Sequence, residues 1–257
     1  MNDTPAFFRT QVSDNILHVE LFRPERLNAL HAPAHAQLAK VFDEFELDPA
    51  LRVAIISGNG RAFCAGNDLK WQADGGSLER PVSGFAGLTL RHQRTKPIIA
   101  AVHGEAFGGG CEIVLAADLA IAAESARLAL PEVRVGLVPL AGVHLLPRRV
   151  GLKNALWMLL TGQVMSAEGA LRIGLVNEVV AVEDLIPRAW EIARTIIKAS
   201  PEAIAACMTM VRESLAENDI SKAMTAPSEA LARLRASDDF VEGPKAFAEG
   251  RIPNWKV

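Results

Sequence analysis

The sequence predicts an α/β fold made of strand–turn–strand–helix turns, followed by a helical tail. Three observations predict it. Short apolar runs begin near Val53, Ile98 and Leu119, each followed by a turn and a second short segment. The runs are unequally spaced, so the grammar repeats without a fixed period. Past Ala141 the pattern is helix after helix, with one strand over 176–180. At 257 residues, 50% hydrophobic and 22% charged, the chain fits one large domain, or one domain with a helical appendage.

In chain order, 7–12 and 16–21 mix apolar and polar residues around Ser13-Asp14-Asn15 and predict a β-hairpin. Residues 23–30 read as a loop. Over 33–47, Leu38, Val41, Phe42 and Phe45 recur at helical spacing, and Asp48-Pro49 ends the helix. A buried strand over 53–56 is closed by Ser57-Gly58-Asn59-Gly60. Asp68 suits an N-cap. Residues 73–87, with Gly75-Gly76, read as an irregular, mobile connection, and a helix over 87–94 leads to a strand over 97–102. A helix over 109–117 precedes strands over 119–122 and 127–130, the latter stopped by Pro131-Glu132. Helices follow over 141–150 and 151–161, from Ser166, and over 182–199, 201–216, 227–236 and 244–249. Ser237-Asp238-Asp239 offers a cap between the last two.

Composition narrows the function. A formal net charge of -3 argues against a general nucleic-acid binder. Cys64, Cys111 and Cys207 form no Cys-x-x-Cys and the six histidines form no His-Glu-x-x-His, so a reducing compartment and no metal site are expected. Residues 1–10 carry Asp3 and no basic or apolar targeting pattern, and no apolar run reaches about 18 residues, so a soluble cytoplasmic protein with no membrane partner is expected. The chain has no tyrosine, which excludes chemistry that needs a phenol.

One stretch organises the rest: Val102-His103-Gly104-Glu105-Ala106-Phe107-Gly108-Gly109-Gly110-Cys111-Glu112. Side chains are missing where a strand hands over to a helix, so backbone N–H groups can approach a ligand oxygen. The free amides and dipole of the helix start favour developing negative charge. An oxyanion held by amides, with a carboxylate three residues on, describes carbonyl chemistry through an enolate. The neighbouring stretch Ala62-Phe63-Cys64-Ala65-Gly66-Asn67-Asp68-Leu69 has the same grammar. Taken alone, a glycine run is more often a tight packing corner, and a lone glutamate at a helix start more often compensates the dipole.

With these residues in place, the chain resembles the enoyl-CoA hydratase/isomerase, or crotonase, family from about Val12 onward. Five segments carry the resemblance in order: Arg23-Pro24 with Asn28-Ala29-Leu30; the stretch from Ala62 to Leu69; Gly104 to Glu112; Leu130-Pro131-Glu132 with Gly136; and Leu160-Thr161-Gly162 through Gly174-Leu175-Val176. The resemblance implies a crotonase-like ββα spiral over 1–195 and a C-terminal helical trimerisation region over 196–257, in a homotrimer or hexamer. It implies that the thioester carbonyl of an acyl-CoA substrate is held by the N–H groups of Asn67 and Gly109. It places Arg26, Leu27, Ala29, Ala65, Asn67, Asp68, Leu69, Lys70 and Gly109 along the CoA ester. Glu112 is then a general base toward water, and Glu132 delivers the proton to the α-carbon.

The implied activity is an enoyl-CoA hydratase, adding water across the C2–C3 double bond to give a 3-hydroxyacyl-CoA. No cofactor is expected beyond the CoA thioester, which is itself the electron sink. Double-bond isomerisation and dehydration of a 3-hydroxyacyl-CoA are the alternatives on the same scaffold. Isomerisation needs one base, so the two glutamates favour hydration; a non-catalytic acyl-CoA-binding subunit would need neither. Two departures from the family pattern stand out. Leu140-Ala141-Gly142-Val143 replaces a smaller glycine-rich segment, implying a bulkier acyl wall, and the region from Trp71 to Leu90 is expected to line or cover the acyl pocket. Ala246-Phe247-Ala248-Glu249-Gly250-Arg251 carries few cations, leaving Arg26, Lys70 and Arg251 as the candidates for the CoA phosphates.

Overall fold

The structure is a computed structural model and describes residues 7–255; the targeting expectation for residues 1–6 lies outside the described residues. Strands β1 (Phe8–Ser13) and β2 (Ile16–Leu21) form the expected antiparallel hairpin. Helix α1 (Ala32–Leu47) and strand β3 (Val53–Gly58) follow. Short helix α2 (Leu69–Ala73) precedes β4 (Ile98–Val102), β5 (Glu105–Phe107) and α3 (Gly109–Ala116). Then come β6 (Leu119–Ala123), β7 (Arg127–Ala129), α4 (Gly142–Val150) and α5 (Leu152–Thr161). The chain continues through β8 (Met165–Ser166), α6 (Ala167–Arg172), β9 (Glu178–Val180) and α7 (Leu185–Ile197). It ends in α8 (Pro201–Ala216), α9 (Ile220–Thr225), α10 (Glu229–Ala236) and α11 (Asp239–Ala248).

A six-stranded sheet runs in the order β1-β2-β3-β4-β6-β9, parallel beyond the hairpin. Its middle strands are continuous apolar runs because both faces are covered. Ala54, Ile56, Ala100 and Val102 face the main core with Leu38 and Phe42 of α1. Their neighbours Val53, Ile55, Ile99 and Ala101 face the other way, onto Leu185, Ala189 and Ala193 of α7. The two-residue alternation of a strand thus feeds two cores. The second segments of the last two repeats, β5 and β7, build a smaller sheet with β8, in the order β5-β7-β8.

The structure corrects four expectations. The helix predicted over 87–94 does not form; a single 3-10 turn spans Phe85–Gly87. Gly84, Ala86 and Gly87 have φ of +83°, +53° and +64°, which no right-handed helix accommodates. The first repeat has no true second strand, since Cys64 meets Ala106 in an isolated bridge. The last helix begins at Asp239 rather than 244, and Pro244 lies inside it. Ser237-Asp238-Asp239 supplies no side-chain cap; Asp239 instead accepts a 2.6 Å hydrogen bond from Ser200 Oγ, joining α11 to the start of α8. β8 and α9 had no distinct signal, being two and six residues long. Among the described residues, no helix is long and apolar enough to cross a membrane.

Candidate active site

The two glycine-rich corners lie side by side. Phe63 N–H donates to His103 O, Cys64 N–H to Glu105 O and Phe107 N–H to Cys64 O, at 2.8, 3.0 and 3.0 Å. Gly66, at φ +94°, sits where a Cβ would stand 2.7 Å from Phe107 O and 3.1 Å from Gly109 N. A Cβ on Gly110 would stand 2.0 Å from Cys64 O. Only glycine permits that approach. The result brings Asn67 and Gly109 to one cavity wall. Neither residue's N–H has an acceptor among the described residues.

Neighbouring side chains hold the corners. Asn28 is fully buried; its Nδ2 donates to Asn59 O and Ala62 O, and its Oδ1 accepts from Arg23 N–H. Asp68 caps α2 as expected, accepting from Trp71 N–H at 3.1 Å, and forms a 3.0 Å ion pair with Arg23. His35, on α1, accepts from Ala86 N–H at 3.1 Å, and its ring lies 4.4 Å from that of Phe85. Burial, helped by Arg80 and His31, lowers the His35 pKa to about 3, so the ring is neutral and able to accept. That contact fixes the turn which lays Phe85 against Gly109.

Both glutamates enter the same cavity. Glu112, in the first turn of α3, is buried, and its Oε1 accepts from Ala141 N–H and Gly142 N–H at 2.7 and 2.9 Å. The backbone of the Leu140-Ala141-Gly142-Val143 segment therefore aims Glu112, while the Leu140 side chain lines the cavity. Glu132 begins the 3-10 turn Glu132–Val135. Its Oε1 lies over Gly108, and its buried Oε2 has no protein partner among the described residues. Burial pushes the Glu132 carboxyl up to about 7; the Glu112 charge adds to this, while Glu132's own backbone amide and Arg80 oppose it. Two carboxylates in unlike surroundings can divide acid and base work.

The cavity holds about 690 Å³. Ala65, Asn67, Leu69, Gly109, Glu112 and Glu132 reach its wall. Arg26, Leu27, Ala29, Asp68 and Lys70 do not: Leu27 lies behind Ala65, accepting its N–H at 2.9 Å, and Arg26 and Lys70 face solvent. Arg251 is ion-paired with Glu242 and Glu249, at 2.6 Å each. Gln72, Leu78, Arg80 and Phe85 come from the span 71–90 expected to line the acyl pocket, and Leu140 from the expected acyl wall; residue reasoning missed Arg134 and the rest of the apolar lip, Val135, Leu137, Val138 and Pro139. The lip's signal was the run Leu137-Val138-Pro139-Leu140 in a segment too short for a core element. Within 71–90 nothing local singled out Arg80 from its neighbours.

Residues 11–257 match the family described as Enoyl-CoA hydratase/isomerase. The chain belongs to that family. Its members act on acyl-CoA substrates. Among curated proteins it is 42% identical over 249 residues to carnitinyl-CoA dehydratase of Proteus mirabilis, covering 94% of this chain and 95% of that one. The figures for carnitinyl-CoA dehydratase of Escherichia coli O157:H7 are the same. Among solved structures, enoyl-CoA hydratase from Mycobacterium tuberculosis H37Rv superposes with a TM-score of 0.92 at 36% identity, covering 97% of this chain and 98% of that one. Enoyl-CoA hydratase from Bacillus anthracis superposes at 0.89 with 31% identity, covering 98% and 99%. The fold is the crotonase fold.

Proposed function

We propose that the chain is a hydro-lyase interconverting a 2-enoyl-CoA and water with a 3-hydroxyacyl-CoA. The observation that carries this is the meeting, in one cavity, of two acceptor-free amides and two glutamates held in different ways. The thioester oxygen accepts from Asn67 N–H and Gly109 N–H, which stabilise the enolate. Glu112 takes a proton from water, and the hydroxide oxygen bonds to C3. The electron pair of the C2–C3 double bond moves toward the thioester, and Glu132 gives its proton to C2. The product has gained one water; Glu112 is left protonated and Glu132 ionised, and one proton exchanged through solvent resets the pair. Dehydration runs the same steps backward, and likeness to relatives named dehydratases supports that direction in the cell. The acyl group named in those relatives ends in a trimethylammonium. Among the described residues lining this cavity, Phe85 is the one aromatic, and Arg80 and Arg134 are cations. Loss of absorbance of the conjugated thioester, across a panel of enoyl-CoA esters, tests the reaction. Turnover of at least one ester, absent without the protein, is expected, and no change with any ester overturns the reading.

The C-terminal helices favour assembly into trimers or hexamers. Val211, Leu215, Met224, Val241 and Phe247 are large, apolar and exposed, as a partnered surface requires. Sedimentation at micromolar concentration is expected to show a trimer or a pair of trimers. A single 27.6 kDa species would overturn this.

A further inference from the structure

Beyond the two glutamates, the charged side chains lining the cavity among the described residues are both cations, Arg80 and Arg134. Arg134 is engaged: its Nε and Nη2 donate to Thr161 O at 3.1 and 3.0 Å. Arg80 is exposed and makes no hydrogen bond or ion pair among the described residues, although its charge acts on Glu132. Its guanidinium lies 5.4 Å from the centroid of the Phe85 ring, the aromatic face of the cavity. That ring packs against Gly109, whose free amide faces the reacting carbonyl in the proposed reaction. Leu78, Val135, Leu137, Val138 and Leu140 add apolar side chains to the same cavity.

We infer that Arg80 is the specificity-determining residue for the acyl tail, and that the preferred substrate is an acyl-CoA whose chain ends in a carboxylate. The inference rests on the hydro-lyase reading for the placement of the thioester end. A guanidinium matches a carboxylate with two parallel N–H donors, and Arg80 has these donors free. The apolar side chains suit the methylenes of the acyl chain. A quaternary ammonium beside Arg80 would meet a like charge. Such cations are recognised by open aromatic faces, and here the one face is covered by a like charge.

Titration calorimetry on the full chain tests this with saturated esters, which bind without reacting. Succinyl-, adipoyl- and suberoyl-CoA are compared with butanoyl-, hexanoyl- and octanoyl-CoA of equal length. The carboxylate-tailed ester is expected to bind about tenfold tighter at one or more lengths, the scale of a charged hydrogen bond. That affinity ratio falls to about one in Arg80→Gln and below one in Arg80→Glu. A ratio at or below one at every length overturns the inference. So does a ratio unchanged in Arg80→Gln, the result expected if Arg80 touches the CoA moiety common to both esters. Hydration of the matching enoyl esters is followed separately. A tail preference without hydration sinks the hydro-lyase reading alone, and hydration without a tail preference sinks the Arg80 inference alone.

Discussion

Glu112→Gln and Glu132→Gln are each expected to lower hydration at least about 100-fold, the usual scale for a positioned acid or base. The two losses differ in character. Glutamine at 112 still offers an oxygen to Ala141 and Gly142 N–H, so the site keeps its shape while losing the group that takes the proton of water. Glutamine at 132 removes the proton donor to C2. The pH profile separates the roles. The proposed active form of the pair carries one proton, on Glu132 for hydration and on Glu112 for dehydration. Burial holds the Glu132 pKa up at about 7, so the pair loses its proton as pH rises through that value. kcat/KM for hydration is therefore expected to fall on the alkaline side of about 7. Dehydration, which starts from the same total protonation, falls along the same limb. Glu132→Gln should abolish that limb in its residual activity. Near wild-type turnover in either variant, or a wild-type rate flat from pH 6 to 9, would remove the assigned roles.

Gly110→Ala is the second change with a large expected effect. The added Cβ would stand 2.0 Å from Cys64 O, a backbone atom that cannot rotate away. One corner must move off the other, which separates the Asn67 and Gly109 amides. Removing one oxyanion donor costs about 3–4 kcal/mol of barrier, so a rate loss of about 100-fold or more is expected. Overpacking should also lower stability by about 1–3 kcal/mol, read from the urea midpoint. Asn67→Ala gives the contrast. It keeps the backbone N–H and removes only the side-chain bond from Nδ2 to Gln72 Oε1 at 3.2 Å, so activity should fall far less. A folded Gly110→Ala enzyme with normal turnover would dissolve the oxyanion-hole assignment. An Asn67→Ala loss as deep as that of Glu112→Gln would move the chemistry onto the Asn67 side chain.

Much of this protein was legible in the chain itself. Buried parallel strands announce themselves as unbroken apolar runs, and amphipathic helices by spacing, because both signals come from neighbours in sequence. The glycines at 66 and 108–110 marked the two strand-to-helix corners for the same reason: a missing side chain is a local fact. Other decisions belonged to tertiary structure. The turn at Phe85–Gly87 depends on a neutral His35 some fifty residues earlier accepting from Ala86, so helical spacing over 87–94 could not foresee it. The aim of Glu112 comes from the amides of Ala141 and Gly142, and the raised pKa of Glu132 from burial beside another carboxylate. The sequence places Arg80 within the span expected to line the pocket; only folding sets its exposed guanidinium 5.4 Å from the centroid of the Phe85 ring. Local spacing determines elements because helix and strand periods are short-range. Charge, burial and hydrogen bonding across the cavity are long-range, and exist only once the chain has closed around it.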